Sequence, residues 1–225
     1  MTLAEDLALL LHDDESGKGV VDRHTVELVL AGAVLVELAQ QGRVRIAAGG
    51  EAVKEGRVVV DGDGPTGDEL LDDGIASVRD GRPRKPAAVV DGLRKGLRDR
   101  VLERLVAAGE LERQERKALG LVSYTRWPAG SGHREDDVRR DLDAALLRGA
   151  DPSERTAALV GLLAAIDAVP RVVEADDRKA LKRRAEELAE GPWATQAVRD
   201  AVRDVQLAVM TAVIAATTAA TVTSN

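Results

Sequence analysis

The chain has no cysteine, no phenylalanine, one tyrosine and two tryptophans in 225 residues. Lacking cysteine, it has no disulfides and no thiolate metal ligands, which is compatible with a reducing cytoplasm. Lacking aromatic rings, it has to build its core from Leu, Val and Ala, which favours helices packed closely through small side chains. Histidine is scarce as well. His12, His24 and His133 have no second histidine or carboxylate at a metal-ligand spacing worth naming. No nucleophile elbow, phosphate-binding loop or dinucleotide glycine pattern occurs. The expectation is a protein that is not an enzyme and needs no cofactor. The opening stretch MTLAEDLALLLHDDESG carries acids early and lacks a basic region and a small-residue cleavage site. No signal peptide is expected.

Charge is unevenly spread. The total is −7, which argues against a generic nucleic-acid or membrane binder. Residues 79–126 nevertheless carry 13 Lys or Arg against 7 Asp or Glu, a net of +6, leaving −13 on the remainder. A basic segment on an acidic protein is either a solvated helix surface or a face directed at something anionic.

The elements can be placed by pattern. Thr2 and Glu5 form a capping box that opens a helix running to about His12. Residues 23–41 are apolar all round their middle, so they form a buried helix, ended by Gly42. Two short strands follow at 43–48 and 56–60. Asp61, Asp63 and Gly64 start like a calcium loop, but Pro65 and Thr66 stand where a ligand and the turn glycine belong. Thr66 is expected to cap the next helix, with Glu69 completing its capping box. After a basic connector at 79–86, Val90, Leu93, Leu97, Val101 and Leu105 predict one amphipathic helix over 87–108, stopped by Gly109. That helix would carry Arg94, Lys95 and Arg98 on one polar edge. Asp151, Pro152 and Glu154 predict the start of a core helix, and 178–191 an exposed charged one. The last helix, from Pro192 to Thr218, is rich in Ala and diluted by Thr. It reads as a buried small-residue helix rather than a membrane span.

Two of the three aromatics fall in RKALGLVSYTRWP, residues 116–128. The segment reads as a β-hairpin with an apolar tip of Leu119, Gly120, Leu121 and Val122, next to Tyr124 and Trp127. An exposed apolar tip is sticky and normally has a partner. Burying each large aliphatic side chain there contributes about 1.5–3 kcal/mol. Trp and Tyr favour the headgroup level of a bilayer, and each nearby cation adds about 1 kcal/mol on an anionic surface. The alternative is a hairpin folded back on its own core.

Several stretches resemble the Golgi phosphoprotein 3 family, in its bacterial, actinobacterial branch. They are LAEDLALLLHDDESGK, LAGAVLVELAQQGRV, DGPTGDELLDD and LRKGLRDRVLERLVAAGELERQERKALGLVSYTRWP, in that order over nearly the whole chain. The resemblance implies a helical fold with a membrane-inserting hairpin, and a basic pocket that in eukaryotic members takes phosphatidylinositol 4-phosphate. It implies a cytosolic peripheral membrane protein with no transmembrane helix. Two pocket arginines of the family align with Lys95 and Arg98. The pocket tryptophan and a further arginine align with Asp22 and Ala31, so neither is kept. Arg23, beside the lost tryptophan, is the expected substitute. Lys95 in place of arginine gives up bidentate phosphate geometry. Cytosolic tails of membrane proteins are further partners that the resemblance suggests.

The combined expectation is a single mainly α domain over 1–225, with buried central helices and two small β-hairpins. Residues 87–128, a helix plus hairpin, form its membrane-facing face. Lys95, Arg98, Arg94 and Arg23 bind anionic phospholipid headgroups, and Leu119, Gly120, Leu121, Val122, Tyr124 and Trp127 enter the membrane. The location is the inner face of the cytoplasmic membrane. The rival readings are a protein-interaction adaptor using the hairpin and a winged-helix-like nucleic-acid binder. Leu, Gly and Val suit a wing tip poorly and the protein is acidic, so nucleic acid is not the expected partner.

Overall fold

Helix α1 (Leu3–Leu10) starts where Thr2 accepts from the Glu5 amide and the Glu5 carboxylate accepts from the Thr2 amide, the expected capping box. Every residue of α1 is buried. A computed structural model describes residues 1–12, 19–118, 122–191 and 196–222. Helix α2 (Arg23–Gln40) runs through the middle, capped by Asp22, with Gly42 in the left-handed conformation beyond its end. It touches α1, α3, α4, α5, α7 and α10, defined below, which is why its apolar residues go all round.

Strands β1 (Val44–Ile46) and β2 (Val58–Val60) pair antiparallel, Arg45 opposite Val59. Helix α3 (Glu69–Arg79) is capped by Asp68, not by Thr66. The Thr66 amide and hydroxyl both donate to Asp72 instead, at 2.7 and 2.8 Å. That leaves Asp68 free to accept from the Leu70 and Leu71 amides.

The expected single helix over 87–108 is two. Helix α4 (Pro86–Leu93) stops, Gly96 takes φ +70°, and α5 (Leu97–Ala107) starts after it. The left-handed backbone at Gly96 is cheap only for a residue without Cβ. Gly109, also left-handed, ends α5 as expected.

Strands β3 (Gln114–Ala118) and β4 (Val122–Arg126) form the second hairpin, Gln114 opposite Arg126 and Ala118 opposite Val122. Among the described residues these strands pack chiefly on each other. The base of the hairpin is tied to the domain. Glu112 N–H donates to the Pro128 carbonyl at 2.8 Å, and Leu111 and Trp127 are buried in the core.

Helix α6 (Arg134–Leu146) precedes α7 (Glu154–Ala165). The cap of α7 is Ser153, two residues later than the expected Asp151, because the Ser153 hydroxyl accepts from the Thr156 amide. A short α8 (Val169–Val172) leads to α9 (Arg178–Glu190), charged outside and anchored by Leu181, Ala185 and Leu188.

Helix α10 (Gln196–Val222) lies along α2. The two helices approach at Gly32, where a Cβ would lie 2.6 Å from a Val209 methyl. Val202, Val205, Ala208 and Val209 are buried, but Leu207, Met210 and Ile214 are exposed. The helix expected to be buried is therefore buried on one side and exposed on the other. Among the described residues no helix is long and apolar enough to cross a membrane. The mainly helical architecture with two small antiparallel hairpins is the one expected.

Candidate functional site

The break at Gly96 decides where the basic side chains go. Arg94 ends α4, Lys95 lies in the turn, and Arg98 sits in the first turn of α5. They do not share one helical edge. Arg94 reaches back, with Nε 2.7 Å from Asp91 Oδ1 and Nη1 3.9 Å from Glu27 Oε2. Lys95 is exposed and makes no ion pair among the described residues.

Arg98 meets Arg23, the first residue of α2. Asp99 stands between them. Its Oδ2 accepts from Arg23 Nη2 at 3.0 Å and its Oδ1 from Arg98 Nη1 at 3.2 Å. Arg23 Nε donates to Glu27 Oε1 at 2.9 Å. Arg94, Glu27, Arg23, Asp99 and Arg98 thus form a line of alternating charges across two parts of the chain. The Arg98 side chain is only 16% exposed. Burial, then the neighbouring charge of Arg23, holds its pKa below the usual arginine value. Hydrogen bonding to Glu27 and the charge of Asp99 push that of Arg23 up.

A cavity of about 400 Å³ opens on this line. Arg23, Arg98, Asp99, Glu103, Arg113, Thr125 and Trp127 line it. The Arg113 guanidinium carbon lies 5.8 Å from the centre of the Trp127 ring, a cation–π distance. Trp127 is 8% exposed. It is part of the cavity wall, enclosed by protein, because the chain leaving β4 turns it onto the core. This corrects the expectation of a ring at the membrane interface. Leu119, Gly120 and Leu121 lie outside the described residues, as do the side chains of Val122 and Tyr124.

The two positions that do not match the family pattern have structural occupations. Asp22 caps α2, accepting from the Thr25 amide at 3.0 Å and its hydroxyl at 2.6 Å. Burial works to raise its pKa, but those hydrogen bonds outweigh it and the pKa is lowered. Ala31 has no exposed surface, so a charge there would be buried in the core.

Of the residues expected to bind headgroups, Arg23 and Arg98 line the cavity and Arg94 joins it through Glu27. Lys95 does not line it. Arg113, Asp99 and Glu103 were not foreseen. Arg113 sits in the run ELERQER, where no spacing marks one charge above another. Its signal was its neighbourhood, a cation leading into the strand that returns to Trp127. A larger groove of about 560 Å³ between α7, α9 and α10 has mixed charge, with Glu186, Glu190 and Asp200 against Arg199 and Arg203. Among the described residues no group of three or more His, Asp or Glu is poised to hold a metal. The family model described as Golgi phosphoprotein 3 (GPP34) matches residues 3–205.

Proposed function

The chain belongs to the Golgi phosphoprotein 3 family, and from that premise we propose that it is a peripheral membrane protein that binds anionic phospholipid headgroups. The observation that carries this reading is the cavity where Arg23, Arg98 and Arg113 converge beside Trp127. Guanidinium forks match phosphate oxygens bidentately. The cavity wall itself holds three cations and two carboxylates, Asp99 and Glu103, while Glu27 pairs with Arg23 and Glu115 with Arg113 from outside it. Arg94 and exposed Lys95 extend the basic surface at its edge.

The second component is the hairpin. Its strands pack chiefly on each other among the described residues, which supports a hairpin available to an apolar phase. The residues that join them, Leu119, Gly120 and Leu121, supply apolar surface by composition, with Val122 and Tyr124 beside them. Headgroup binding gives the choice of lipid, and insertion gives retention. Two weak signals together anchor a protein that one alone would release. The proposed location is the inner face of a cytoplasmic membrane, with the 4-phosphate of phosphatidylinositol as one headgroup of the right chemistry.

The test is co-sedimentation of Arg23→Glu/Arg98→Glu with vesicles. Two charge reversals at about 1 kcal/mol per charge near an anionic surface predict a loss of at least about tenfold in binding. A double variant that stays folded and binds anionic vesicles as the wild type does would put the site elsewhere. Binding of neither protein to any vesicle would favour an adaptor, for which the exposed Leu207, Met210 and Ile214 of α10 offer an apolar surface.

A further inference from the structure

We infer that Asp99 is an internal competitor for the anion site, which lowers the site's affinity for every anionic headgroup until the carboxylate is displaced, an inference that rests on the headgroup reading above. Asp99 occupies the place between Arg23 and Arg98 that a phosphate would take. Its two oxygens satisfy one guanidinium each, at 3.0 and 3.2 Å. A carboxylate and a phosphate present similar acceptor pairs to an arginine fork. Asp99 therefore stands in for the ligand while the site is empty.

The arrangement makes Asp99 displaceable. Its side chain is half exposed, so it can turn into water without being buried uncompensated. Its hydrogen-bond partners among the described residues are the two arginines. Arg98 depends more on the contact than Asp99 does. Arg98 is largely enclosed and lies close enough to Arg23 for the two charges to oppose each other. They need an anion between them, and in the free protein Asp99 provides it.

Charge then decides which ligand replaces it. A phosphodiester carries one negative charge, the same as Asp99, so exchanging the two leaves the arginines no better satisfied. A phosphomonoester carries about −1.5 to −2 at neutral pH with three acceptor oxygens. It outbids a carboxylate for two guanidinium groups, and Arg113 across the cavity is placed to take the remaining oxygen. The resident carboxylate lowers the affinity for both by the same factor, which leaves the ordinary diester headgroups of a membrane weakly bound and the monoester still held.

The experiment compares wild type with Asp99→Asn on vesicles of neutral phosphatidylcholine doped equally with phosphatidylglycerol, a diester, or phosphatidic acid, a monoester. Thermal melts of both proteins establish that each is folded. The wild type is expected to prefer phosphatidic acid by about tenfold. D99N is expected to bind both lipids about tenfold more tightly, with the preference for phosphatidic acid kept. A second arm titrates D99N with glycerol 3-phosphate in the absence of vesicles and follows tryptophan emission, with Trp193→Phe leaving Trp127 as the reporter. A saturating change assigns the site to soluble phosphomonoesters as well. No change, with retention on phosphatidic acid, assigns it to lipid-borne ones. If D99N binds no more tightly than wild type while wild type still binds anionic vesicles, the competitor role is overturned and the headgroup reading stands. If neither protein responds to any anionic lipid, both are overturned.

Discussion

Asp68 holds three structures together at the level of single atoms. It caps α3 through the Leu70 and Leu71 amides, and both its oxygens accept from Arg104. Arg104 in turn donates to Glu5, inside the capping box of α1, at 2.8 Å. Nearby, Asp6 has no exposed surface and accepts from Arg134 at 2.7 Å and Arg155 at 2.6 Å. Burial works to raise the Asp68 pKa, but the Arg104 hydrogen bond and charge outweigh it, and the pKa is lowered. A carboxylate with a depressed folded pKa contributes stability that is present above its unfolded value and lost as pH falls through the folded one. Asp68→Asn keeps a good cap but loses the charge. The expected cost is about 1–2 kcal/mol at neutral pH, shrinking to near zero below the ordinary carboxylate range. Urea unfolding at a series of pH values checks this. A deficit that is constant with pH would mean the cap geometry, not the ion pair, was lost. None of this network was legible in the sequence. Glu5 and Asp6 are far along the chain from Asp68, Arg104, Arg134 and Arg155, and only packing brings them together. The capping box at Thr2 and Glu5 was legible because both partners lie within one turn.

Elements were read well where a pattern was local and misread where a choice was. The apolar surround of α2 told its burial, and Gly42 its end. The spacing of Val90, Leu93, Leu97, Val101 and Leu105 ran unbroken through Gly96, so one helix was expected where two exist. A glycine inside a helical pattern is tolerated often enough that its left-handed use here left no separate sign. The two misplaced caps, Thr66 for Asp68 and Asp151 for Ser153, arose because several capping residues stand within three positions of each other. The break matters for the site, since it points Arg94 towards Glu27 and Arg98 towards Asp99. Apart from its chain neighbours, nothing lies within 4 Å of the Cβ position at Gly96, so an added methyl meets only backbone strain. Gly96→Ala is expected to destabilise by about 1–2 kcal/mol and to weaken anionic vesicle binding. Chemical denaturation and sedimentation of the same sample check both. Full binding with lowered stability would show that the site tolerates a shifted α5.

Across the whole molecule, the basic segment 79–126 and the acidic remainder set up an oriented charge distribution. Sequence composition made that asymmetry visible, and with it a face directed at an anion. It did not make visible that Arg23, far upstream, joins Arg98, or that Trp127 serves the cavity wall rather than a membrane interface. Those positions follow from the way α2 enters the core beside the start of α5. The basic cavity and the hairpin are proposed to hold the protein on anionic membranes together. The most direct measurement is co-sedimentation of the wild-type protein with neutral vesicles and with vesicles containing anionic phospholipid, at low and high salt. Retention is expected on the anionic vesicles only, weakened but not abolished as salt rises, because screening reduces the charge contribution and leaves the apolar one. Equal retention on neutral vesicles, or none on either, would contradict it.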